Sequence, residues 1–157
     1  MKYKLKEIDV TKLTNVPKET PTGTILNVFY DNSLLEFQTP VMLIQDITST
    51  HLVVKLLPTK ASDVFYTKML EIENKFKSWS NCNLESVFER KLSEPGDTLN
   101  LKINVQTTKI YKDNSLFNFY HLTKNSKAIC LVRCDKIWKT DKLYYNLKIK
   151  ELLLVDT

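Results

Sequence analysis

Two periods alternate along this chain, and they divide it into elements. From Phe65 to Trp79 the apolar residues Phe65, Met69, Ile72, Phe76 and Trp79 recur at spacings of 4, 3, 4 and 3. That places them on one stripe of an α-helix, with Lys68, Glu71, Glu73, Asn74, Lys75 and Lys77 on the other faces. The pattern predicts a helix over Ser62–Trp79, capped by Ser62 or Thr59. From Thr98 the period is two. Leu99, Leu101, Ile103 and Val105 alternate with Asn100, Lys102, Asn104 and Gln106, the signature of a half-buried strand. Ile25–Tyr30 and Leu34–Gln38 flank Asp31-Asn32-Ser33 and read as a hairpin. His51–Leu57 reads as a strand stopped by Pro58, and Lys109–Tyr111 either continues the strand from Leu99 or starts another, before a turn at 112–115. Ala128–Lys136 and Leu143–Leu154 read as strands joined by a turn at 139–142. In the last of these Tyr145, Leu147 and Ile149 face one way, and Tyr144, Asn146, Lys148 and Lys150 face the other. Thr14–Thr24 reads as an exposed loop, Leu84–Lys91 as a second short helix capped by Asn83, and Glu94–Asp97 as a turn.

The order is three strands, a helix, then three or four strands. A single domain of 157 residues that is mainly β with one substantial helix is the expectation. The order resembles the five-stranded OB barrel, whose helix sits between the third and fourth strands and plugs one end. A β-sandwich with a packed helix is the alternative, because periodicity does not encode barrel closure.

Composition removes several functions. Glycine occurs only twice, at Gly23 and Gly96, so there is no glycine-rich phosphate loop. No apolar run approaches the roughly 18 residues of a membrane span, and the opening segment lacks a signal-peptide core. A non-secreted protein without a membrane partner is expected. The three cysteines, Cys82, Cys130 and Cys134, do not make a disulfide framework. Cys130 and Cys134 fall on the same face of a strand and read as small buried hydrophobes. His51 and His121 are far apart in sequence, and Glu71 and Glu73 point to different helix faces, so neither pair supplies a metal site or a carboxylate dyad. The expectation is a non-enzymatic protein with no cofactor and no metal.

Charge is unevenly placed. Residues 1–100 carry 12 Lys/Arg against 13 Asp/Glu, and residues 101–157 carry 11 against 5, so a net +6 sits in the last third. Such asymmetry points to a polyanionic partner, or to lysines that only solubilise exposed faces. Aromatics interleave with the basic residues there. Single-strand binders need cations for phosphates and flat rings for bases. The candidate binding residues are therefore Lys109, Lys112, Phe119, Tyr120, Lys124, Arg133, Lys136, Trp138, Lys139, Tyr144, Lys148 and Lys150. The competing reading of the aromatics, including Phe117 and Tyr145, is core packing.

Three stretches carry a resemblance: KYKLKEIDVTKL, ILNVFYDNSLLEFQTPVML and SKAICLVRCDKIWKTDKLYYNLKIKELLL. With its Ile137-Trp138 pair, turn and Tyr-containing last strand, the chain resembles small proteins of nucleocytoplasmic large DNA viruses. Those are similar to bacteriophage-type single-stranded DNA-binding proteins with an OB fold. The resemblance implies a viral replication, repair or recombination protein that binds single-stranded DNA, with RNA as an alternative ligand. It implies self-association or other viral proteins as further partners, and the host cytoplasm, a viral factory or the virion as location. The phage-type proteins end in an acidic tail, whereas this sequence ends ELLLVDT, which puts tail-mediated recruitment in doubt. A virion structural or assembly protein using the same β-fold for protein contacts is the second expectation.

Overall fold

A computed structural model describes residues 3–91 and 94–155. The chain runs through β1 (Tyr3–Lys4), two 3-10 turns, β2 (Leu13–Thr20), β3 (Gly23–Tyr30), β4 (Leu35–Gln38), β5 (Met42–Ile47) and β6 (His51–Leu56). The helix α1 (Lys60–Ser78) follows, then β7 (Leu84–Glu85), β8 (Phe88–Lys91) and β9 (Glu94–Lys102). The last part holds β10 (Lys109–Lys112), β11 (Ser115–Leu116), a 3-10 turn at Phe119–His121, β12 (Lys127–Cys134), β13 (Lys136–Lys139), β14 (Leu143–Tyr145) and β15 (Lys148–Val155).

Five strands close on themselves. β5 pairs with β6, β6 with β9, β9 with β15, β15 with β12, and β12 returns to β5. The β9–β15 pairing is parallel and the other four are antiparallel. In chain order the ring is 1-2-3-5-4-1, which is a barrel and not a sandwich. The helix falls between the second and third strands of this ring, one position earlier than expected. The reason is that Ile25–Tyr30, counted as a first strand from its pattern, belongs to a different sheet.

β4 and β5 are one strand broken at a proline. Both run along β12, with Gln38 opposite Leu131 and Met42 opposite Ala128. Pro40 has no N–H to give to the ladder. Thr39 bridges the gap: its N–H donates to the Cys130 carbonyl at 2.8 Å, and its hydroxyl accepts from the Cys130 N–H at 2.9 Å. This satisfies the buried Thr39 hydroxyl within the barrel wall.

A second sheet runs β2-β3-β13-β14-β7. The expected loop at Thr14–Thr24 is instead a hairpin, with β2 and β3 paired from Leu13–Tyr30 to Thr20–Gly23. β2 has no alternating pattern because its residues are mostly exposed, and it is an edge strand, where Pro17 is tolerated. The expected hairpin at Ile25–Gln38 forms only as a turn. Tyr30 and Ser33 exchange two hydrogen bonds across Asp31 and Asn32, both at positive φ, and then β3 and β4 diverge into separate sheets.

Three further expectations are corrected. Leu84–Lys91 is two short strands and not a helix, because Leu84 pairs with Leu143 and Phe88 with Leu99. The chain is already strand at Glu94, where a turn was expected. Leu143–Leu154 is not one strand but two, in different sheets, separated at Asn146-Leu147. The alternation persists through that break: Tyr145, Leu147 and Ile149 are all buried.

α1 begins at Lys60 with Thr59 as cap, its hydroxyl accepting from the Ser62 N–H at 3.2 Å. Its stripe of Phe65, Met69, Ile72 and Phe76 is buried in the core shared by both sheets. Phe65 meets Phe37 of β4 and Phe88 of β8, with ring centroids 6.4 and 6.5 Å away, and Phe76 meets Tyr145 edge-on at 5.5 Å. Phe76 is fully buried. Phe76→Ala is expected to cost about 3–5 kcal/mol of stability in urea unfolding. An unchanged midpoint would mean the stripe is not core.

Candidate nucleic-acid interface

The turn between the fourth and fifth barrel strands is long, spanning residues 135–147, and it carries the hairpin β13–β14. In this hairpin Ile137 and Tyr145 point inward, 0% and 5% exposed. Trp138 and Tyr144, one residue along on each strand, face outward as a directly opposed pair. Tyr144 is 38% exposed and Trp138 is half-buried. Gly23 lets β3 and β13 pack closely at the end of their ladder. It has φ +151°, and a Cβ there would lie 2.5 Å from the Lys139 carbonyl oxygen.

The hairpin is locked from beneath by a group that sequence reasoning missed. Glu73, on α1, is buried, and its carboxylate accepts hydrogen bonds from the Tyr145 hydroxyl and from the Ser86 hydroxyl at 2.7 Å. Burial and the neighbouring Glu73 charge hold the Tyr145 phenol well above its ordinary pKa, so it stays a donor. Glu73 gave no signal in sequence beyond its place beside Ile72, within one residue of the apolar stripe. On the outer face the Tyr144 hydroxyl donates to Asp141 at 3.3 Å, and partial desolvation, then Asp141, raise its pKa. Asp141 is lowered by its hydrogen bond from the Thr140 hydroxyl.

Tyr144 and Asn146 then share a hollow of about 230 Å³ with His51 of β6 and Asn100 of β9. The outer faces of β6 and β9 continue from it through Val53 opposite Asn100 and His51 opposite Lys102. Neither His51 nor Lys102 belongs to the sequence-derived set, since strand periodicity does not reveal which outer face adjoins another element.

The sequence-derived residues divide into groups. Lys136, Trp138 and Tyr144 share the outer face of the second sheet, with Lys136 exposed and without an ion pair among the described residues. Lys139 lies on the opposite face of the same strand. Three cations are held by carboxylates: Arg133 by Glu36 at 2.8 Å, Lys148 by Asp135 at 3.4 Å and Lys124 by Asp46 at 3.6 Å. Lys150 is the extra residue of a bulge on β15, opposite the Leu131–Val132 step. Lys109 and Lys112 sit on β10, Lys112 with its ammonium 5.9 Å from the Phe117 ring centroid. Phe119 packs partly against the core, while Tyr120 beside it is 78% exposed. No strand pairing joins this last group to the Trp138 row. Cys130 and Cys134 are buried in the barrel, and burial pushes both thiols up to about 12. Among the described residues no three His, Cys, Asp or Glu side chains gather as a metal site, and no helix is long and apolar enough to cross a membrane.

No protein-family model and no curated protein matches the sequence. Among solved structures, the C-terminally truncated single-stranded DNA-binding protein from bacteriophage Enc34 is similar in fold. Its TM-score is 0.55 at 6% identity, over 92% of this chain and 96% of that one. The barrel is OB-like. OB barrels take oligonucleotides on the face of the second and third strands, between the loops after strands one and four. Here those features are β6 with β9, residues 48–50 and the β13–β14 hairpin, and of them His51, Asn100, Tyr144 and Tyr145 line the hollow.

Tyr145→Phe removes a charge-assisted bond from a buried carboxylate and is expected to cost about 1.5–3 kcal/mol of stability in urea unfolding. Tyr144→Phe, one residue away on the exposed face, is expected to change stability by less than about 0.5 kcal/mol. Equal effects would place both rings in the same environment.

Proposed function

We propose that this protein binds single-stranded DNA without catalysis, along the β6–β9 face and under the Trp138–Tyr144 pair. The observation that carries the reading is that outward pair, standing on the loop that frames the ligand face of an OB barrel. Opposed rings with Lys136 on their own face, and Lys102 two residues beyond Asn100 on the outer face of β9, supply stacking surfaces and phosphate-neutralising charge. The fold likeness to a phage single-stranded DNA-binding protein supports it at the level of architecture. Of the sequence-derived residues, Lys136, Trp138 and Tyr144 are the central contacts, and Lys150, Lys109, Lys112 and Tyr120 are peripheral ones. Arg133, Lys148 and Lys124 act through the field that remains after their carboxylate pairing. On the residue patterns given above, the chain belongs with the OB-fold proteins of nucleocytoplasmic large DNA viruses. Its work is then in viral replication, repair or recombination, in the host cytoplasm, a viral factory or the virion. RNA is the alternative ligand.

A second reading, a virion assembly protein, has one observation in its favour. Leu116 and Leu153, 74% and 43% exposed, flank Tyr111 on the outside of the barrel. Binding of labelled oligo(dT) measured by anisotropy at several salt concentrations separates the two. With about 3–5 phosphate contacts, the slope of log K on log salt is expected near −2 to −3.5. Tyr144→Ala is expected to weaken binding by about 1–3 kcal/mol with that slope unchanged. No binding at micromolar protein would overturn the reading and leave the assembly role in its place.

A further inference from the structure

We propose that the single strand does not end at the barrel but continues across the outer face of the second sheet onto the β2–β3 ribbon, with Lys18 as a phosphate-binding residue. This rests on the single-strand reading above and extends its footprint. Strand register places Lys18, Ile25, Trp138 and Tyr144 in one row, each directly opposite the next across β2, β3, β13 and β14. Directly opposed residues in a sheet share a face. The row beside it is Val16, Asn27 and Lys136, and Phe29 of β3 follows one step further on. None of these side chains is buried, whereas Leu26, Val28, Tyr30 and Ile137 on the other face are.

The face therefore offers flat or apolar groups at Ile25, Phe29, Trp138 and Tyr144, and cations at Lys18 and Lys136. Among the described residues neither lysine has a carboxylate partner. Two carboxylates adjoin the row at Tyr144: Glu85, opposite it, is held by Lys142 at 3.0 Å, which raises the Lys142 pKa, and Asp141 accepts from the Tyr144 hydroxyl at 3.3 Å. Acidic Glu19 lies on the opposite face of β2 from Lys18, engaged by the Thr24 hydroxyl. Four strand spacings from β7 to β2 give the track a width of about 19 Å. Such a composition suits a flexible polyanion with stacking bases.

The test compares two oligo(dT) lengths, about 4 and about 16 nucleotides, the range of footprints known for OB folds. Lys18→Ala, an exposed change on an edge strand, is the variant. For the long oligonucleotide it is expected to reduce the magnitude of the salt slope by about 0.7. Affinity at 0.1 M salt is then expected to fall about 5-fold. For the short oligonucleotide neither quantity is expected to change. Lys18→Glu is expected to give the same length-selective loss with a larger fold-change. Equal loss on both lengths, or none on the long one, overturns the extended track while leaving the barrel site standing. If the parent protein binds neither length, the single-strand reading fails and the track with it.

Discussion

The barrel exists because one strand, Lys127–Cys134, is hydrogen-bonded along both edges. On one side it meets Lys148–Val155, and on the other the broken strand formed by Leu35–Gln38 and Met42–Ile47. Closure removes the exposed edges a flat sheet would leave and encloses Ala128, Cys130, Val132 and Cys134. It also fixes where the chain must go next. A strand paired on both sides cannot add a neighbour, so the segment from Asp135 to Leu147 projects as a hairpin and joins a second sheet. The Trp138–Tyr144 pair is a product of that exit.

The hairpin is held on two sides. Gly23 allows β3 to lie against Lys139, and buried Glu73 ties α1 to Tyr145 and Ser86. A buried carboxylate is costly without compensation, and two hydroxyl donors supply it. The same helix that fills the core with Phe65, Met69, Ile72 and Phe76 thus positions a ring pair on the outer surface. Electrostatics are sorted in a similar way. Of the net +6 in the last third of the sequence, several cations answer nearby carboxylates. The sum overstated the charge available at any one face, and the lysines at 18, 102 and 136, which have no carboxylate partner among the described residues, matter more than the total.

Much of the architecture was legible because the amphipathic patterns are strong. The helix stripe, the alternation from Leu99 and the inward run Tyr145-Leu147-Ile149 each follow from burial on one face. What was not legible has a common physical origin. β2 is exposed on most of its length, so it left no alternation and read as a loop. Leu84–Lys91 has helical spacing of apolar residues, but its backbone is claimed by Leu143 and Leu99 on neighbouring strands, and tertiary pairing overrides local preference. The partition of Leu143–Leu154 between two sheets leaves no trace in its pattern, since the inward face is the same on both sides of the break. Of the candidate site, Trp138, Tyr144 and Lys136 were legible as aromatics and cations close in sequence. His51, Lys102 and Lys18 were not, because only the sheet register brings them to that surface.

On the single-strand proposal Trp138 stands at the DNA interface, while Trp79 belongs to the helix packing, where its ring lies 5.4 Å from that of Phe76. The direct measurement is tryptophan emission during titration with oligo(dT) in two single-tryptophan proteins, Trp79→Phe and Trp138→Phe. Trp79→Phe, which retains Trp138, should lose emission saturably as bases stack, and Trp138→Phe should show no change in its remaining tryptophan. Quenching confined to Trp79, or no quenching of Trp138 at saturating DNA, would contradict the account.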